Sequence, residues 1–154
     1  MKGSLVLLAA CLALHTSAFA DFKPDPDRWE QVVRTDSNTY YLDNQLQDYR
    51  YHSEYSERAS VHFGHRYADV WEMRCPNGSG NSYTKNRVRY DLDCTTYQVL
   101  FNIEYNDEGR IREQGDPHKG PYRISKEEPQ FKIISLLKDN WTQLMNQGLI
   151  KRMR

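Results

Sequence analysis

Beyond residue 20 the sequence has no apolar run long enough to cross a bilayer, no excess of either charge and almost no cysteine. A spanning helix needs roughly 20 apolar residues, so no transmembrane helix is expected. Its 21 Lys and Arg stand against 21 Asp and Glu. Such a balance argues against general nucleic-acid or membrane-surface binding, both of which rest on a basic excess. Cys75 and Cys94 are the only thiols after the first segment. Small helix formers are scarce beyond Ala20, and there is no internal repeat or low-complexity tract.

Recognised catalytic patterns are missing too. Gly78-Ser79-Gly80 lacks the full G-x-S-x-G of a nucleophile elbow and sits among turn residues. Asp91/Asp93 and Glu127/Glu128 read as solvated acid pairs, because glycoside chemistry needs two carboxyls facing each other across a cleft. His62-Phe63-Gly64-His65 is the one close histidine pair, and no third ligand stands beside it, so no metal or cofactor is expected. No catalytic residue is assigned, and the chain reads as a non-enzyme.

What is present begins with a leader. Lys2 gives a positive start, Leu5 to Leu14 is almost unbroken apolar sequence, and Ala18-Phe19-Ala20 precedes Asp21. That anatomy predicts a secretory signal peptide over 1–20. Leu8-Ala9-Ala10-Cys11 resembles the box before a lipidated cysteine, but the apolar stretch runs on through Leu14, which favours soluble export. Residues 21–28 read as an extended leader and 29–150 as a single domain, a size that supports one modest core.

Within that domain, Trp29 to Val33 and Thr39 to Leu42 predict a hairpin about Asp36-Ser37-Asn38. From Asn44 to Arg66 the chain is polar and without clean period, a surface loop or an irregular strand. Alternation returns at Tyr67–Cys75, which places Trp71 and Met73 inward. Val88, Tyr90 and Leu92 share one face of the next strand, with Lys85, Arg87 and Arg89 on the other. An apolar strand over Tyr97–Tyr105 ends in the turn Asn106-Asp107-Glu108-Gly109, and Arg110-Ile111-Arg112 starts the return. Gly115 to Pro121 reads as a loop. Ile134, Leu137, Trp141, Leu144 and Met145 form a helical stripe that starts best at Pro129 and stops at Gly148. The sum is an α+β fold, an antiparallel meander of about five or six strands under one C-terminal helix.

Two surfaces offer contacts. Lys85, Arg87 and Arg89 form a row about 6.6–6.8 Å apart on one strand face, suited to a polyanion or an acidic protein segment. Tyrosine is abundant, with 11 copies, and Tyr49, Tyr51 and Tyr55 cluster in the polar stretch. Their rings either serve a contact surface or pack onto the sheet. For Cys75 and Cys94 two principles oppose each other. An oxidising compartment favours a bridge, whereas a hairpin about Asn77 to Ser82 sets the thiols at opposite ends of the strands.

The order Trp29-Glu30-Gln31-Val32, Tyr40-Tyr41-Leu42-Asp43, Ala68-Asp69-Val70-Trp71-Glu72-Met73 and Tyr90-Asp91-Leu92-Asp93-Cys94, then a strand and a turn at Gly109, resembles the surface-adhesin protein E family of Gram-negative bacteria. The resemblance covers roughly Trp29 to Leu137. It implies a small sheet-plus-helix domain in the periplasm or at the outer-membrane surface, binding a protein partner in the envelope or host matrix. It brings no catalytic residues. Family members often carry a cysteine near the end of the helix as mate to the one matching Cys94; this chain has none there, so that bridge does not transfer. A periplasmic structural or stress-related role and an unrecognised hydrolase stand as alternatives.

Overall fold

The computed structural model describes residues 23–58, 61–78, 80–117 and 119–150, with the backbone alone over 54–56 and 61–63. The expected signal peptide, Cys11 included, lies outside the described residues. From Asp25 the chain turns rather than extends. The Asp25 carbonyl accepts from the amides of Arg28 and Trp29 at 3.1 and 2.8 Å, and its carboxylate accepts from the Asp27 amide at 3.0 Å. A side chain that bonds its own backbone two residues on is the usual turn-forming use of Asp.

Seven strands follow, β1 (Trp29–Arg34), β2 (Asn38–Ser56), β3 (Val61–Pro76), β4 (Tyr83–Asp91), β5 (Thr96–Tyr105), β6 (Ile111–Gly115) and β7 (Lys119–Arg123), and then the helix α1 (Pro129–Asn146). The sheet is an antiparallel meander from β1 to β6. The outer edge of β5 is shared, with β6 along Asn102–Tyr105 and β7 along Thr96–Val99. The stretch expected to be a loop over Gly115–Pro121 therefore contains the start of a strand.

The polar stretch from Asn44 to Arg66 is strand through most of its length. β2 and β3 pair from Asn38↔Pro76 out to Ser56↔Val61. Ladder bonds join backbone to backbone, so a strand wet on both faces needs no apolar alternation, and none is written there. A bulge between Leu42 and Gln47 bends β2. Asp43 fills it: one carboxylate oxygen accepts from the amides of Gln45 and Leu46 at 2.9 and 3.2 Å, and the other takes Arg28 Nε at 2.9 Å.

One face of the sheet is covered by α1. Ile133, Ile134, Leu137 and Trp141 pack on Val33, Tyr40, Leu42, Ala68, Val70, Val88, Tyr90 and Leu92. The stripe expected on the helix is the one buried. Its start at Pro129 also stands, and Glu128 makes no side-chain cap bond, so no capping box forms. At the other end Gly148 adopts φ +71°. There the Leu149 amide reaches the Leu144 carbonyl at 2.9 Å and the Gly148 amide the Met145 carbonyl at 3.1 Å, a Schellman closure.

The inward assignment holds for Met73 as burial, but Trp71 is only half-buried and neither lies on the face that the helix covers. On β3 it is Ala68, Val70 and Glu72 that lie beneath the helix, and Tyr67, Asp69, Trp71 and Met73 take the opposite face. Met73 is nevertheless buried, as is Trp29 on the same side. Alternation separates two faces of a strand without stating which one a helix will cover. Here the parity that carries the tryptophan is the one left facing away from α1.

Candidate functional site

The face opposite the helix gathers side chains from five strands. By register, β3 Asp69, Trp71 and Met73 lie across from β4 Arg89, Arg87 and Lys85, and those lie across from β5 Gln98, Phe101 and Ile103. β1 and β2 add Trp29, Asp48 and Arg50 from one side. The expected row of three cations is thus real as a row on one face. Its members differ sharply in environment.

Lys85 is enclosed by rings. Its Nζ lies 5.3 Å from the centroid of Trp29, 5.4 Å from Tyr105 and 5.6 Å from Tyr83, and the two tyrosines stack at 4.4 Å. Burial, with Arg28 nearby, lowers the Lys85 ammonium below its usual value. Held over faces of negative quadrupole, this cation works as packing at the β1 end of the sheet.

Arg89 is tied down. Its Nε and Nη2 donate to the two oxygens of Asp69 at 2.7 and 2.8 Å, a fork-to-fork pair. That hydrogen bond raises the Arg89 guanidinium further. The Asp69 carboxylate is 2 % exposed, so the pair neutralises a buried charge. Arg87 stands differently. Its side chain is 45 % exposed, and its nearest carboxylate contact is Asp69 at 3.9 Å, outside hydrogen-bond range. Arg50, further along, pairs with Asp48 on its own strand through Nε at 2.7 Å. Over this face five cations, Arg28, Arg50, Lys85, Arg87 and Arg89, meet four carboxylates, Asp43, Asp48, Asp69 and Asp91, so its charge is nearly balanced.

Apolar surface lies within the same patch. Trp71 and Phe101 meet edge to face at 6.4 Å, both half-buried. Arg87 faces Trp71 in the β3–β4 register and Phe101 in the β4–β5 register, so its strand position lies between theirs. Two clefts flank Arg89. One of about 350 Å³ is lined by Arg50, Tyr51, His52, Tyr67 and Arg89. The other, about 190 Å³, is bounded by Tyr67, Arg89, Asp91, Thr96 and Gln98.

Of the tyrosine cluster, Tyr49 and Tyr51 share one face of β2 and pack toward the core. Tyr49 lies under the helix, edge-on to Trp141 at 6.1 Å, and its hydroxyl donates to Gln47 Oε1 at 3.0 Å. Burial raises its phenol, with a bond from Asn140 opposing. Tyr51 packs against the same core, over Gly64. The packing alternative holds for both. The side chain of Tyr55 lies outside the described residues.

Cys75 and Cys94 are both free. In the β3–β4 ladder Cys94 lies just past the Tyr67↔Asp91 pair and Cys75 just past Arg74↔Thr84, so they sit at opposite ends. Roughly 27 Å of strand separates Cys75 from the level of Tyr67, against at most about 7 Å between bridged Cα atoms. The bridge left open by the sequence does not form, and geometry decides it. Burial pushes the Cys75 thiol up to about 11, so it stays protonated and unreactive at neutral pH.

One buried polar pair lay outside every sequence argument. Glu72 is 4 % exposed beneath the helix, where it accepts the hydroxyl of Tyr90. Desolvation raises its carboxyl to about 7, against the pull of Tyr90 and Arg74. The only signal was an acid at a core parity, legible once the covered face is known. Comparison of the chain with family models, with curated proteins and with solved structures returns no match.

Proposed function

We propose that this chain is an exported binding module of the bacterial envelope that grips an acidic segment of a protein partner on the face of its sheet opposite the helix. The observation that carries the reading is Arg87. It is a half-exposed guanidinium with Trp71 and Phe101 as its ladder neighbours on either side and no carboxylate within hydrogen-bond range. Arginine beside aromatic rings suits the centre of a contact surface, since the rings supply area and the guanidinium supplies direction.

Export and envelope location rest on the leader over 1–20 and on the resemblance to the surface-adhesin protein E family. Binding rather than catalysis is the better use of the site. Glu72, the carboxyl raised furthest, is sealed in the core against Tyr90, out of a substrate's reach. Lys85 and Arg89 serve the fold, through ring packing and the Asp69 pair, and recognition falls to Arg87.

The test measures binding of the purified protein to individual host matrix proteins and envelope proteins at two salt concentrations, with Arg87→Ala alongside. Binding that weakens with salt and by about tenfold in Arg87→Ala supports the reading. A confirmed partner bound equally by wild type and variant rejects this face. Binding only to heparin-like chains would replace the acidic protein segment by a polyanion. Labelling of intact cells separates an outer-surface protein from a periplasmic structural one.

A further inference from the structure

Three side chains that the sequence keeps apart converge where β3 begins and β4 ends. His65 Nδ1 lies 2.8 Å from a carboxylate oxygen of Asp91 and 3.5 Å from Cys94 Sγ, and all three ligand atoms fall within 4.8 Å of one another. We propose that His65, Asp91 and Cys94 bind a zinc ion.

The spacing suits the ion. In a tetrahedral site with Zn–N about 2.0–2.1 Å and Zn–S about 2.3 Å, nitrogen and sulfur ligands stand about 3.5 Å apart, and nitrogen and oxygen about 3.3 Å. The observed nitrogen–sulfur distance is 3.5 Å. The nitrogen–oxygen distance of 2.8 Å needs to open by only about half an ångström, within the reach of side-chain rotation. Imidazole, carboxylate and thiolate are all zinc donors, and three protein ligands leave a fourth position for water.

A nucleophilic Cys–His–Asp arrangement fits less well. A relay uses the two ring nitrogens separately, one for the nucleophile and one for the acid. Here thiol and carboxylate both meet Nδ1. Convergence on one atom is the geometry of a shared cation. The carboxylates of Asp91 and Asp93 both lie close enough to act on Cys94, and their negative field draws a dication.

The ligands are held before the ion arrives. The second oxygen of Asp91 accepts from the amides of Asp93 and Cys94 at 3.0 and 2.8 Å, and the Asp91 carbonyl takes the Thr95 amide at 3.0 Å. Asp93 is engaged by Arg66, through its amide at 2.8 Å and Nε at 2.9 Å. The turn that carries Cys94 is therefore pinned by the carboxylate that faces the metal. His65 stacks on Tyr67 at 6.0 Å, which sets its ring plane. Cys94 is exposed and His65 partly so, which gives water and ion an approach. On binding, the thiol proton and the Nδ1 proton shared with Asp91 are both given up, the thiol proton to solvent and the ring proton by transfer through solvent to Nε2, so that Nδ1 and the sulfur each offer a lone pair.

The test titrates the reduced protein with Zn²⁺ by calorimetry and with Co²⁺ by absorption, where a thiolate ligand gives a charge-transfer band. One equivalent is expected to bind. Cys94→Ser, a change at an exposed side chain, should remove the band and weaken zinc at least about tenfold, and His65→Gln should weaken it likewise. Cys75→Ser should change neither. Absence of stoichiometric binding overturns the proposal, as does a band that survives Cys94→Ser or zinc affinity unchanged in both ligand variants. Arg87→Ala leaves the cluster intact, so the metal and partner readings fail or stand separately.

Discussion

Tyr90 donates its hydroxyl to Glu72 beneath the helix, joining β4 to β3 inside the core. Glu72 raises the cost of charging Tyr90, whereas the Tyr90 hydroxyl eases the charging of Glu72 and burial opposes it. Burial and the neighbouring Glu72 push the Tyr90 phenol well up, so it serves only as donor. Glu72 is the member that can titrate near neutrality, because burial lifts it from 4.5 to about 7.

Stability should therefore fall as pH rises between about 4.5 and 7. The folded state holds the Glu72 proton more tightly than the unfolded chain, so this contribution is complete below the unfolded value and is lost through the folded one. The shift corresponds to about 3 kcal/mol across the window. Urea unfolding at pH 5 and pH 8 measures it, and Glu72→Gln, which still accepts from Tyr90, should remove that part of the difference. An identical pH dependence in Glu72→Gln would assign the titration elsewhere.

The Asp69–Arg89 fork predicts unequal penalties along the cationic row. Arg89→Ala strands a buried carboxylate whose remaining cation is 3.9 Å away, and should cost about 1–3 kcal/mol after allowance for the solvent that reaches Arg89. Arg87→Ala breaks no close bond and should cost less than about 1 kcal/mol. Equal losses in thermal or urea unfolding would contradict the environments assigned to the two arginines.

Gly64 and Tyr51 form a second dependent pair. A Cβ built on Gly64 would lie 1.6 Å from the Tyr51 hydroxyl oxygen and 2.2 Å from its Cζ, so the ring needs the missing side chain. Gly64→Ala should destabilise by about 1–3 kcal/mol by driving Tyr51 off the core. In a Tyr51→Ala background the same change should cost little. A double-mutant cycle reads the coupling, expected near 1 kcal/mol or more, and additive effects would refute the contact.

The strands of the meander, the turns between them and the helix with both of its ends were legible because each is written locally. Two-residue alternation, turn residues at Asn106–Gly109, Pro129 and Gly148 act within a few positions of themselves. The Cys75–Cys94 bridge stayed open in the sequence, where hairpin order opposed it and an oxidising compartment favoured it, and only the folded sheet shows both thiols free. The polar half of the β2–β3 hairpin escaped, since backbone pairing there owes nothing to apolar period.

Tertiary structure alone decided which face the helix covers. That choice turned Trp71 outward, sank Glu72, and divided three similar cations into one stacked, one paired and one open. It also brought His65 to Asp91 and Cys94, which the sequence holds 26 and 29 positions away. Spacing along the chain fixes which side chains share a strand face. Which of those faces loses its water, and which distant residues meet across it, depends on the packing of the whole sheet.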